Sequence, residues 1–160
     1  MALVKGENVY ADDIVAAADL YFTDHISSAT WLAASETLKK NCIVTGTAIL
    51  DNLEYSGVAA DLAQSMAFPR VGEFFDPRIG GLVYYEDEPY PSRLVKASFE
   101  MALHLLNNPD LLTDTGGITD LDIKGISLKN IRNPSEIPSS VYRMIRPLLS
   151  KPTNSWWRAN

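Results

Sequence analysis

The stretch PSRLVKASFEMALHLLNNP, residues 91–109, decides the fold class. Leu94, Ala97, Ser98, Met101, Ala102, Leu105 and Leu106 recur three or four positions apart, which lays them along one face of a helix. Pro91 and Ser92 open it, since a proline in the first turn gives up only an N–H that has no helical partner. Asn107-Asn108-Pro109 closes it. An apolar face this broad must be covered by other elements, so the expected class is mainly α: a bundle of about four helices.

On the N-terminal side, Asp12 is the expected cap of a first helix over about 13–24. Ile14, Ala17, Ala18, Tyr21 and Phe22 would form its apolar face. A short turn around Trp31 is expected at 30–34. Ser35 then caps a second long helix over about 35–54, with Leu38, Cys42, Thr45, Ile49 and Leu53 as its buried stripe and Lys39, Lys40 and Asn41 off it. Gly46 costs about 1 kcal/mol against alanine in a helix interior, which predicts a neighbouring helix passing close.

Residues 55–91 are punctuated by Pro69, Pro77, Pro89, Pro91, Gly57, Gly72, Gly80 and Gly81. Such punctuation stops long regular elements. A long loop is expected there, with one short strand at 82–85 and a tip available to partners. Past Pro109, Leu121, Ile123, Ile126 and Leu128 suggest a β-hairpin over 118–131, turning at Lys124-Gly125. A short last helix from Ser139 or Ser140 to about 149 is limited by Pro147. The expected domain plan is one helical body, 1–149, followed by an extended C-terminal docking tail, 150–160.

Composition excludes several classes. The 160 residues fit one domain with a sizeable core. The lone Cys42 cannot close an internal disulfide. The opening MALVKGENVY lacks the apolar centre of a signal peptide, and no apolar run reaches the roughly 18 residues of a membrane span. The net charge is −6. Duplex DNA is gripped mostly by Lys and Arg on phosphates, so an acidic chain needs a local basic patch to hold it.

The chemistry of catalysis is missing. Gly80-Gly81 and Gly116-Gly117 are not followed by Gly-Lys-Ser/Thr, so no phosphate loop is present. His25 and His104 lack metal-ligand partners at a familiar spacing. Cys42 on an apolar stripe is expected to be inert. The run Glu86-Asp87-Glu88 is expected to be a solvated face. Asp114-Thr115-Gly116 matches an aspartic-protease tripeptide, but it follows a helix and not the β-rich body that paired carboxylates need. Asp120 and Asp122, alternating on a strand, make a weak hard-metal pattern. No catalytic, cofactor-binding or metal residue is named, and no enzyme activity or cofactor is expected. Trp156, Trp157 and Arg158 are the strongest positive signal, because Trp and Arg dominate interface hot spots. They are expected to dock into another protein.

Taken in order, these pieces resemble a known family. Asn8-Val9-Tyr10, then 18–22 (Ala-Asp-Leu-Tyr-Phe), Trp31, Ala67-Phe68-Pro69-Arg70 and Pro91-x-x-Leu94-x-x-Ala97 with Met101-Ala102 are similar to the phage head-tail connector or adaptor proteins, including those labelled DnaT-like single-stranded-DNA-binding proteins. The likeness covers roughly 8–149. It implies a dodecameric ring of this chain at the head–tail junction of the virion, assembled in the host cytoplasm. The ring would join the portal protein to a tail or nozzle protein, with DNA passing through the lumen without tight binding. Phe68, Pro69 and Arg70 are expected to anchor the long loop, Arg70 through an acid of the same or next subunit, and Trp156, Trp157 and Arg158, which are not a general mark of the family, are expected to bind the portal or a neighbouring subunit. The alternative is a single-stranded-DNA-binding replication protein. That function needs aromatic platforms beside a basic groove, for which Lys124, Lys129, Arg132, Arg143 and Arg146 are the available cations.

Overall fold

The computed structural model describes residues 3–112, 120–123, 126–129 and 136–150, the two strand segments by backbone alone. Its helices are α1 (Ile14–Phe22), α2 (Ser28–Ala33), α3 (Glu36–Asp51), α4 (Ser92–Asn107) and α5 (Ser139–Ile145), the last running into a 3₁₀ turn at Arg146–Leu148. Between α3 and α4 stand two antiparallel ribbons. The first pairs β1 (Val58–Ala59) with β2 (Arg70–Val71), and the second pairs β3 (Glu73–Asp76) with β4 (Gly81–Tyr84). A third ribbon, β5 (Asp120–Ile123) with β6 (Ile126–Lys129), matches the expected hairpin in place and register. The fold is mainly α, as expected, with five helices where about four were predicted.

The long helices α3 and α4 pack on one another at the centre, flanked by α1 on one side and α5 on the other. At their crossing, a Cβ on Gly46 would lie 3.2 Å from the Ala102 backbone nitrogen and 3.2 Å from Met101 Cγ. Only hydrogen fits, so the helix-propensity cost of glycine is offset by closer packing. The face of α4 is largely as predicted: Leu94, Ala97, Ser98, Met101, Ala102 and Leu105 are buried, Leu106 is half-buried, and Phe99 and Leu103 are buried in addition.

Three local expectations are corrected. Asp12 is not the cap of α1; Asp13 takes that place in the left-handed region (φ 43°) and makes no side-chain capping bond. Asp tolerates this conformation better than most residues. The turn around Trp31 is a helix of its own, α2, whose buried indole packs 4.7 Å from the Phe22 ring. The buried face of α3 is rotated from the predicted stripe. Lys39, Cys42, Ile43, Gly46, Thr47 and Leu50 point inward, while Leu38 is exposed. Lys39 turns in because a partner waits there: its ammonium lies 2.9 Å from Asp19 Oδ1, which also accepts from Trp31 Nε1 at 2.7 Å. Ser35 caps the helix as predicted, accepting the Leu38 N–H.

The expected long loop is the larger correction. Residues 55–91 form the two ribbons, organised around Phe68. Its fully buried ring meets Tyr10, Tyr55 and Tyr85 edge-on at centroid distances of 5.7, 4.8 and 5.5 Å. The chain enters this cluster through a cis Phe68–Pro69 bond. The C-terminal end of the body closes on it as well. Ser56 N–H donates to the Leu148 carbonyl and Ser150 N–H to the Glu54 carbonyl, each at 2.9 Å.

Gly46→Val should lower stability by about 1–3 kcal/mol, because its branched side chain would push the two packed helix backbones away from each other. Urea unfolding should show an earlier midpoint with an unchanged slope. An equal or later midpoint would mean that the crossing yields freely.

Candidate functional site

The predicted loop anchor is where the sequence places it, but it works differently from expectation. Phe68 packs in the body, among three tyrosine rings. Arg70 pairs with no acid among the described residues; its guanidinium donates to four backbone carbonyls. Nε reaches Ser56 O at 2.7 Å, Nη1 reaches Ala67 O at 3.1 Å, and Nη2 reaches Tyr55 O at 3.2 Å and Gly57 O at 2.7 Å. A fork of five fixed donors suits a bend that leaves several carbonyls without strand partners. Phe68, Pro69 and Arg70 are therefore architectural. Trp156, Trp157 and Arg158 lie outside the described residues, as do Asp114, Thr115 and Gly116.

The ribbon β3–β4 carries the most exposed aromatic surface. Alternation along β3 sends Phe74 and Asp76 inward and Glu73 and Phe75 outward. On β4, Leu82 and Tyr84 face outward. Phe75 pairs across the ladder with Leu82, and Glu73 with Tyr84, so the two rings sit diagonally on one face. Phe75 is 46% exposed, Tyr84 58% and Leu82 59%. Large apolar groups left on one face of a two-stranded ribbon mark an interaction surface more often than a solvated one.

Exposed cations stand at the ribbon's tip and on α5 with its closing turn. Beyond β3, the 146–148 turn packs against the strand, and Arg146 is exposed there. One turn back on α5, Tyr142 and Arg143 are exposed too. At the ribbon's tip, Arg78 is largely exposed and tied at its root to Asp76, Nε donating to Oδ2 at 2.8 Å. Asp76 itself is enclosed. It also accepts the Arg78 N–H at 2.9 Å and faces Arg93 Nη2 at 3.6 Å. The Arg78 hydrogen bonds, with the charges of Arg78 and Arg93, hold the Asp76 carboxyl below its usual range. Of the five cations named from sequence, Arg143 and Arg146 are exposed, on α5 and on the turn that closes it. The side chains of Lys124, Lys129 and Arg132 lie outside the described residues.

Two grooves run between helices. One, of 380 Å³, lies between α3 and α4 and is lined by Leu38, Cys42, Leu105, Leu106 and Leu112. It holds the stripe that sequence periodicity had assigned to the core. Burial pushes the Cys42 thiol up, away from the reactive thiolate, which agrees with an inert cysteine. The other, of 410 Å³, lies between α1 and α4 and is lined by Tyr21, Tyr90, Ser92, Lys96 and Phe99.

The histidines have structural partners. His25 Nδ1 accepts the Ser27 N–H at 3.1 Å and its Nε2 lies 3.3 Å from Glu100, while His104 Nδ1 lies 3.3 Å from the Asn108 amide. Among the described residues no three His, Cys, Asp or Glu side chains converge as metal ligands. No helix among them is long and apolar enough to cross a membrane.

A family model described as "putative DnaT-like ssDNA binding protein" matches residues 2–158. The chain belongs to this DnaT-like family. Neither a curated protein nor a solved structure matches it. Membership overturns the head-tail connector assignment. The family's description names single-stranded DNA, and no dodecameric ring, portal, tail or nozzle partner. The expectation that DNA only slides past without tight binding is overturned with it. The physical reason lies in the motifs that carried the resemblance. Trp31, Phe68, Arg70, Leu94, Ala97, Met101 and Ala102 are all packing or carbonyl-binding residues. Such residues report a fold, not what the fold assembles with. The family is one of binding proteins, which agrees with the absence of a named reaction.

Asp76→Asn should cost about 1–3 kcal/mol, because Arg93 loses its ionised partner inside the body. The carboxyl is depressed in the folded protein, so its contribution is full above the ordinary value of 3.8 and fades as pH falls below it. Thermal midpoints of the two proteins should therefore converge toward low pH. A constant gap down to about pH 2, below the usual carboxylate range, would show that Asp76 contributes by shape and not by charge.

Proposed function

We propose that this chain binds single-stranded DNA, with bases stacking on the outer face of the β3–β4 ribbon. The match to the DnaT-like family over nearly the whole chain carries this reading. The half-exposed rings of Phe75 and Tyr84, with Arg78 at the ribbon's tip, supply a surface that suits it. Every base has a π-face, so aromatic platforms hold a strand without reading its sequence, at roughly 1–3 kcal/mol per stacked base. Paired bases in a duplex hide those faces, which favours the single strand.

The charge of −6 shapes the mode of binding. A chain with this balance cannot rely on releasing many counterions. Arg78 stands at the ribbon's tip and Arg146 on the turn that packs against β3, so a strand reaching one or both, and Arg143 on α5, would have about one to three phosphates neutralised. Single-strand affinity falls with salt as roughly −0.7 per phosphate on a log–log plot. Raising salt about fourfold should then weaken binding by roughly three- to twentyfold. A basic groove making many contacts would lose far more.

Fluorescence anisotropy with a labelled oligo-dT strand tests this. Phe75→Ala and Tyr84→Ala should each weaken binding by roughly 5- to 150-fold, the range set by one lost stack. Arg146→Ala should flatten the salt slope by about 0.7 while weakening all sequences alike. No binding by the wild-type chain at low salt, or full binding by the doubly substituted ribbon, would refute the proposal.

A further inference from the structure

We infer that the groove between α1 and α4 is a nucleobase pocket that receives one splayed base of the bound strand. The inference rests on the single-strand reading above and adds a second subsite, an open groove, to it. The groove's 410 Å³ falls within the roughly 300–1,000 Å³ of clefts that enclose small planar ligands. Its walls are the rings of Tyr21, Tyr90 and Phe99 with the aliphatic sides of Ala17, Leu20 and Val95. Apolar walls with aromatic rings match a base, which is flat and weakly hydrated on its faces.

The rim supplies the charge that a backbone needs. Lys96 lies at the mouth and has no ion-pair partner among the described residues. Lys5 rests its ammonium 4.3 Å from the centroid of the Tyr90 ring, on the same side chain that lines the groove. Two of the nearby acids are engaged, while the exposed Asp12 stays close enough to Tyr90 that burial and its charge together push that hydroxyl up. Glu100 accepts from the Tyr21 hydroxyl at 2.7 Å and faces His25, and Glu88 accepts the Ser92 N–H at 2.7 Å and lies 3.5 Å from Arg78. Two lysines therefore flank an apolar slot. A phosphate on either side of an inserted base meets that arrangement.

The groove is also joined to the platform. Ser92 lines it, Ser92 is held by Glu88, and Glu88 reaches Arg78 at the tip of the β3–β4 ribbon. A strand lying on Phe75 and Tyr84 and passing Arg78 arrives at this mouth. There a base would lie in an open groove against side chains of both α1 and α4, whereas the ribbon offers strand-borne rings only.

Abasic scanning decides the matter. Oligo-dT strands carrying a single abasic site at successive positions are titrated against the full chain and against Lys96→Glu and Ala17→Trp, the latter filling the slot with an indole. One position should lose roughly tenfold or more in affinity for the wild-type chain, and that loss should vanish in Ala17→Trp. Lys96→Glu should weaken every strand roughly three- to tenfold. Tyr84→Ala should weaken binding but keep the position-specific loss. If Ala17→Trp does not fold, the scan on wild type and the Lys96 variant still decide. Equal affinity at all positions, with Lys96→Glu binding like wild type, would overturn the pocket and leave the ribbon platform standing. Failure of the wild-type chain to bind any strand would overturn both.

Discussion

The fold turns on one guanidinium. Between α3 and α4 the chain must reverse twice in a short span, and each reversal leaves backbone carbonyls without strand partners. Arg70 collects four of them, from Tyr55, Ser56, Gly57 and Ala67. A buried carbonyl without a donor costs on the order of 1–3 kcal/mol; of these four bonds three are part-buried and the Gly57 one exposed, so each is worth less than that, but together they hold the connection. The same bend requires Gly57, at φ +74°, because any Cβ there would collide with the Val71 carbonyl. With the bend held, Phe68 is carried into the centre of the Tyr10, Tyr55 and Tyr85 rings. Tyr10 and Ala67 are fastened from the other side, since the Asp51 carboxylate accepts both the Tyr10 hydroxyl and the Ala67 N–H. Desolvation is the main reason the Tyr10 hydroxyl is held well above its usual range, so it stays a donor.

The surface proposed for DNA follows from that constraint. Once the β1–β2 bend is fixed, alternation along β3 and β4 commits Phe74 to the core, where it lies 4.9 Å from the Tyr85 ring. It equally commits Phe75 and Tyr84 to solvent. Asp76, with Arg78 and Arg93, then ties the ribbon's tip to the start of α4. The aromatic face is thus held rigid from beneath. A rigid platform loses little conformational freedom on binding, which favours stacking over a flexible arm.

The acidic balance and a nucleic-acid role are compatible once stacking and counterion release are treated separately. The −6 charge is a property of the whole chain, whereas the ribbon and α5 set local conditions. Many acids near the candidate surfaces are internally committed: Asp19 to Lys39 and Trp31, Glu100 to Tyr21 and His25, Glu88 to Ser92 and Arg78. Repulsion from those acids is reduced, while Glu73 on the ribbon's outer face and Glu86 and Asp87 beyond β4 stay exposed, and long-range repulsion is screened beyond about 8–10 Å at physiological salt.

Much of this was legible in the residues. Apolar spacing set α4 and its buried face, Ser35 marked the start of α3, Gly46 announced the crossing with α4, and alternation at 121–128 located β5 and β6. These signals are local: each depends on neighbours within one turn or one strand, so the one-dimensional pattern contains them. The rotation of α3 was not legible, since Lys39 turns inward only because Asp19 and Trp31, from other helices, meet it there. Nor was the division of 55–91 into two ribbons, because Pro and Gly report that regular structure stops, not what pairs after it stops. The candidate site was hidden for the same reason. Phe74 and Phe75 are adjacent and chemically identical in the chain, and the order of residues alone cannot say which one is core. That was decided when the four-carbonyl grip of Arg70 set the pitch of the ribbon against the helices, burying one ring and presenting the other.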